Sequence, residues 1–259
     1  VNKTLLGLLV GLALVAPPAA SPAAAWAPKT QIAIAERAAI IAPPDLRRQI
    51  AKNQAEFRAG VLAPFDGTPT AAHEKNEDGS GQLDRKITEG VDGAIDAIRA
   101  HHPFPEIVHQ LGVLAHYAAD ASNPLNVSSA DPEENKYSAD YVRYLDSAWP
   151  RFRVVFYGAG RDLETPADIP ALLARTFARG RVLYPALHAE YQRIGAPRGV
   201  ELFDDRSTAF GVGSLAFSHA VSDAAALLRY IWLRAGGVDT RHLPITHEAA
   251  LDAGVPARP

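Results

Sequence analysis

Residues 111–120 read Leu111, Gly112, Val113, Leu114, Ala115, His116, Tyr117, Ala118, Ala119, Asp120, and this stretch decides the fold. Wound at 3.6 residues per turn, it shows apolar groups on nearly every side, so it belongs inside a bundle, not on a surface. Ile107 and Val108 extend the same helix upstream, with Pro105 placed as a first-turn proline, and His101, His102 and Pro103 close the helix before it. His116 and Asp120 stand at i, i+4, and His109 falls on the same stripe. In an enclosed helix an imidazole and a carboxylate both need partners, because burying them bare is costly.

The flanking sequence is also helical in pattern. Ile32, Ile34, Ala35, Ala38, Ala39 and Ile41 make one wide apolar face that ends at Pro43 and Pro44. Asp45 is expected to cap a second helix running to about Gly60, with Leu46, Ile50 and Phe57 inward. Residues 63–82 hold Pro64, Gly67, Pro69, Gly79 and Gly81 and read as a long loop, a length often reserved for function. Asp84 opens an amphipathic helix carrying Ile87, Val91, Ala94, Ile95 and Ile98. Further helices are expected over Ser138–Ala148, over Ile169–Ile194 with a kink or break at Pro185, and over Asp205–Ala235, weakened by Gly211 and Gly213. Arg153–Tyr157 is the one short strand candidate, and no repeat or composition break marks a second domain. The expected architecture is all-α, a single multi-helical domain over 26–236 followed by an irregular tail, 237–259.

Composition narrows the chemistry. The chain has 259 residues, 47% of them hydrophobic, enough for one sizeable core. Lys plus Arg total 26 against 29 Asp plus Glu, so no nucleic-acid partner is expected. There is no cysteine, which excludes disulfides, thiolate zinc sites and iron–sulfur clusters and leaves metal binding to histidines and carboxylates. Lys3, the apolar run Leu5–Val15 and the small residues Ala23, Ala24 and Ala25 make residues 1–25 a candidate secretory signal peptide, with a retained anchor as the alternative. The expected location is then periplasmic or extracellular, with Trp26 as the first mature residue. No later run of about 18 consecutive apolar residues suggests a transmembrane span. A monomer is expected.

His116 and Asp120 can chelate one ion, but nine histidines and 29 acids make roughly one such pair by chance, and His219 with Asp223 is another. A His and an Asp that satisfy each other in a core is the competing reading, and it is the one adopted for His219 and Asp223. His109 is a candidate additional or supporting ligand. His101, His102, His188, His242 and His247 are read as surface or helix-end residues.

Trp26 at the cleavage point, Lys29 and Thr30, the run Ile32-Ala33-Ile34-Ala35-Glu36-Arg37-Ala38, and the helix Leu111–Asp120 followed by Asn123, Pro124 and Leu125 resemble the zinc-dependent phospholipase C family. The resemblance spans roughly Trp26 to Tyr144. It implies a secreted all-helical hydrolase whose clustered zinc ions, up to three, are held by His, Asp or Glu and by the free amine and carbonyl of the N-terminal tryptophan. Carried over residue by residue, it implies Trp26, Asp66, His73, His116 and Asp120 as metal ligands, although Phe65 intrudes beside Asp66 and His73 follows at short spacing. At other ligand positions this chain has Gln31, Asn126, Ser138 and Val142. Amide oxygens of Gln31 and Asn126 could still complete a site for a hard cation, but valine binds no metal. One zinc site is supported and the others are reduced.

Two functions follow from the resemblance. One is a phospholipase C-like phosphodiester hydrolase acting on a phospholipid headgroup or other phosphate ester, in which Asp66 could serve as general base and Arg143 or Lys136 could replace lost metal charge. The other is a non-catalytic descendant that keeps one structural metal and acts as a binding protein. A single-strand zinc nuclease uses a related site, but the residues after Trp26 resemble that branch less.

Overall fold

The helix centred on His116 forms where its sequence demands. The computed structural model describes residues 26–128, 134–158 and 163–240, and in them the chain is all-helical. In order the α-helices are α1 (Pro28–Ile41), α2 (Pro44–Lys52), α3 (Gln54–Leu62), α4 (Leu83–Arg99), α5 (Phe104–Ala121), α6 (Pro124–Val127), α7 (Glu134–Ala148), α8 (Asp168–Ile194), α9 (Gly199–Leu202) and α10 (Thr208–Arg234). Short 3-10 turns at Ala63–Phe65, Thr70–Ala72 and Trp149–Arg151 complete the set.

Helix α5 is the axis. From Leu114 to Ala121 every residue is buried, and α1, α2, α3, α4, α8 and α10 all pack against the helix. Two apolar clusters flank it. One is built from Leu46, Phe57, Ile87, Leu111 and Leu227, and the other from Trp26, Ile34, Tyr141, Leu187 and Phe217. Helix α10 is long and apolar enough by length and composition to cross a membrane, yet 78% of its most apolar window is buried against these neighbours.

Several boundaries differ from the sequence expectations for local reasons. The helix expected from Asp45 to Gly60 is broken at Asn53, whose side-chain amide donates to the Gln49 carbonyl at 2.8 Å and so competes with the helical ladder. Its first residue is Pro44, so Asp45 lies in the first turn and is not the cap. Helix α8 runs unbroken through Pro185. That proline is exposed, on the face where water can take the carbonyl it frees one turn back. Arg153–Tyr157 joins no sheet, and no strand forms among the described residues. The segment lies extended along α10, with the Val155 and Tyr157 amides donating to the Ser218 and Ser222 hydroxyls at 3.2 and 3.0 Å. After Gly236 the chain turns back, with Asp239 buried and paired to Arg229, and residues 241–259 lie outside the described residues, as do residues 1–25.

Helices α3 and α5 cross with their backbones in direct contact. A Cβ on Gly112 would meet the Phe57 carbonyl oxygen at 2.2 Å, and one on Gly60 would meet the His109 carbonyl oxygen at 2.0 Å. Backbone therefore touches backbone, and only glycine on each helix permits it. In an isolated helix Gly112→Ala would stabilise by about 0.5–1 kcal/mol. Here overpacking against main chain wins. Urea denaturation of Gly112→Ala is expected to show a net loss of roughly 1–3 kcal/mol, and an unchanged or raised midpoint would contradict the crossing.

Candidate metal centre

The α3–α5 contact delivers the first part of the site. Because the two backbones touch, the Val61 carbonyl at the end of α3 reaches the His116 ring and accepts from Nδ1 at 2.8 Å. A carbonyl only accepts, so in neutral His116 the proton sits on Nδ1 and the lone pair is on Nε2. One helical turn on, Asp120 places its Oδ2 3.2 Å from that nitrogen.

His73 comes from the loop, which is ordered by main-chain contacts. Lys75 N donates to the Asn126 carbonyl at 2.8 Å, and Leu83 N donates to the Glu74 carbonyl at 3.1 Å. Arg181 of α8 adds bonds to the Lys75, Asn76 and Val127 carbonyls at 3.2, 3.3 and 2.8 Å. Gly81, at φ 88°, completes the turn, where a Cβ would meet the Glu74 carbonyl oxygen at 2.0 Å. The loop so held puts His73 Nδ1 at 2.8 Å from Asp120 Oδ2 and 3.3 Å from His116 Nε2.

His73, His116 and Asp120 thus offer three ligand atoms that all lie within 4.8 Å of one another. Their triangle, with edges of 2.8, 3.2 and 3.3 Å, can be compared with one face of a zinc tetrahedron. Zinc bonds of about 2.0–2.1 Å to N and O require edges of about 3.3–3.4 Å, so the fit needs an opening of a few tenths of an ångström. Two imidazoles and one carboxylate suit zinc better than calcium or magnesium. The donor set fits a single ion, whose identity the chain does not specify.

The supporting groups are equally defined. Gln31 Nε2 donates to Asp120 Oδ1 at 2.8 Å, so one carboxylate oxygen is held by the amide while the other faces the imidazoles. Gln31 Oε1 is buried without a partner, an acceptor still unmatched beside the cluster. The Trp26 indole is fully buried and donates to the Ala119 carbonyl at 2.9 Å, which ties the chain before α1 to the residue preceding Asp120. Phe65 lays its ring against His116, with centroids 4.9 Å apart, and Tyr117 covers both histidines at 5.5 and 5.6 Å.

The remaining sequence candidates fall elsewhere. Asp66 is exposed and outside the cluster, since the 3-10 turn Ala63–Phe65 turns Phe65, not Asp66, towards His116. Asn126 is buried with its Nδ2 unpartnered, and it joins the site only through its main chain, which holds the His73 loop. Ser138 is buried and Val142 half-buried on α7, outside the cluster. Asp140 is engaged by the Tyr191 hydroxyl and the Gly199 amide at 2.9 and 2.6 Å, so it braces α8 and α9. Arg143 is an exposed partner of Asp140. Asp223 is held by Thr176, Arg179 and Ser122 while His219 packs on Tyr157, so that pair serves packing. His109 is half-buried outside the cluster. Sequence reasoning missed the Val61 carbonyl and the Gln31 amide as supports. Main-chain direction leaves no residue signal, and the sequence offers Gln31 only as an oxygen ligand.

Electrostatics favour a charged cluster. Burial presses the His73 pKa down, but the hydrogen bond and charge of Asp120, aided by the Pro64 carbonyl and Glu74, outweigh it and hold His73 above its ordinary 6.5. Burial pushes Asp120 up, but the charge and hydrogen bonds of His116 and His73 hold it below its ordinary 3.8. Without metal, the His73 contribution to stability is therefore fully present below the unfolded pKa and is lost as pH rises through the raised folded value. That of Asp120 is present above its unfolded pKa and lost as pH falls through the depressed one.

No protein-family model matches the chain, and no curated protein matches it.

Two outcomes follow for metal binding. Ligation by His73 Nδ1 displaces its proton, so affinity for zinc should fall by about tenfold per pH unit once pH drops below the raised His73 pKa. Competition titration with a chromogenic chelator at stepped pH reads this slope, and a flat profile through that range would remove His73 from the ligand set. In wild type, zinc at a hundred times its dissociation constant should add about 2.7 kcal/mol of stability. His116→Ala should lose both the bound metal and that zinc-dependent rise in melting temperature, and metal retained at wild-type affinity would exclude the site.

Proposed function

We propose that the chain binds one zinc ion through His73, His116 and Asp120 and hydrolyses phosphate diesters, with a phospholipid headgroup or similar phosphate ester as substrate. The observation that carries this reading is the count and type of ligands. Two imidazoles and one carboxylate leave one corner of a tetrahedron open, as in catalytic zinc sites, whereas structural sites close all four corners with protein. With zinc bound, the three ligands would hold an ion that lowers the pKa of a bound water and offers positive charge to the phosphoryl oxygens. The resemblance over roughly Trp26 to Tyr144 supplies the substrate class.

In this reading Val61, Pro64 and Gln31 orient the ligands, and Phe65 and Tyr117 keep the imidazoles from bulk water. Asp66, exposed next to Phe65 and outside the three-ligand cluster, would be the carboxylate available to accept a proton on the solvent side. Export to the periplasm or medium belongs to the same proposal, resting on Lys3, Leu5–Val15 and Ala23–Ala25.

A second reading, one structural metal in a non-catalytic binding protein, is favoured by burial. The His116 and Asp120 side chains are 1% and 2% exposed, and only His73, at 13%, reaches the surface. Metal analysis combined with bis-p-nitrophenyl phosphate hydrolysis separates the two. One zinc per chain with turnover supports the hydrolase, and one zinc without turnover leaves the structural role. In an active protein Asp66→Asn should keep its metal and lose about a hundredfold or more in kcat. Unchanged turnover would take Asp66 out of the reaction.

A further inference from the structure

The extended segment 153–157, which no part of the proposed site uses, has one edge bonded to α10 and one edge that no hydrogen bond reaches among the described residues. Its Val155 and Tyr157 amides point to α10, and their spacing matches the helix, since two extended residues advance about 6.7 Å and the four residues from Ser218 to Ser222 advance about 6 Å. In an extended chain, successive residues turn their N–H and C=O to opposite sides. Val154 and Phe156 therefore turn theirs away from α10, and among the described residues no hydrogen bond reaches the amide or carbonyl of either. Val155, Phe156 and Tyr157 are 53%, 42% and 51% exposed, so among the described residues β-forming apolar side chains accompany this unpaired edge.

We propose that this edge pairs with the same segment of a second copy of the chain, as an antiparallel two-stranded ribbon about a twofold axis at Val155. Of the possible twofold registers, this one pairs both outward residues of the segment. With Val155 opposite its own copy, Val154 of one chain faces Phe156 of the other, and these are the residues whose N–H and C=O point outward, so each facing pair exchanges two hydrogen bonds. The side chains agree with that register. Arg153 lies opposite Tyr157, a cation facing an aromatic ring, and no like charges meet. A twofold ribbon satisfies both copies at once and closes on itself, so it forms dimers and not filaments. The contact is small, so the dimer is weak.

Sedimentation equilibrium of the full chain across a wide concentration range tests this. The expected result is a reversible monomer–dimer equilibrium. Phe156→Pro removes one outward amide on each chain and leaves the two bonds to α10 intact, and Val155→Lys sets like charges against each other on the axis. Each should weaken the dimer by about tenfold or more, with far-UV circular dichroism and metal content unchanged. Val155→Lys, a surface change, carries the test if the proline variant does not fold. A monomer at every concentration overturns the proposal, as does a dimer that survives Val155→Lys. Partition of the monomer onto phosphatidylcholine–phosphatidylglycerol vesicles through this segment, without dimerisation, also overturns it and assigns the patch to a lipid surface.

Discussion

The backbone contact between α3 and α5 is the constraint on which the site depends. Two glycines, Gly60 and Gly112, let the helices meet without side chains between them. The consequence is directional. The last turn of α3 ends against α5 with Val61 facing His116, and the following turn places Pro64 against His73. Each imidazole is therefore oriented by a main-chain carbonyl, which cannot change rotamer, and the remaining ring nitrogens turn towards Asp120. A wider crossing would leave both rings without these anchors.

Burying Asp120 then becomes tolerable. A carboxylate at the centre of an apolar helix would be driven to protonate, but three groups from three parts of the chain converge on it. They are Gln31 from α1, His73 from the loop and His116 from its own helix. Gln31 braces one carboxylate oxygen, while the charge and hydrogen bonds of the two histidines outweigh desolvation and hold the Asp120 pKa below its ordinary value. The same convergence packs the N-terminal segment, because Trp26 bonds the residue before Asp120 and its ring meets Phe217 of α10 edge-on. The candidate metal centre, the loop order and the docking of the first described residues are linked through one side chain.

The fit to a single ion also has a physical form. Gln31 occupies Asp120 Oδ1 with an N–H, so that oxygen is engaged and a single ion facing Oδ2 is the arrangement the cluster accommodates. Phe65 shows how one residue alters a site. Its ring takes the place beside His116 and leaves Asp66 on the surface. Asp66 therefore stands open to solvent, outside the cluster.

The sequence by itself determined the helical architecture and the pair at its centre. Apolar groups all round residues 107–121 require an enclosed helix, and i, i+4 spacing puts His116 and Asp120 on one side of it, since both follow from the 3.6-residue period alone. His73 was legible only through resemblance. The tertiary structure decided which distant groups complete the cluster. The carbonyl of Val61, the amide of Gln31 and the outward turn of Asp66 depend on how helices cross and where a loop is tied, and neither is encoded in a local period. It likewise decided that Arg153–Tyr157 lies along a helix and not in a sheet, because the hydroxyls that pair its amides come from α10, more than sixty residues away.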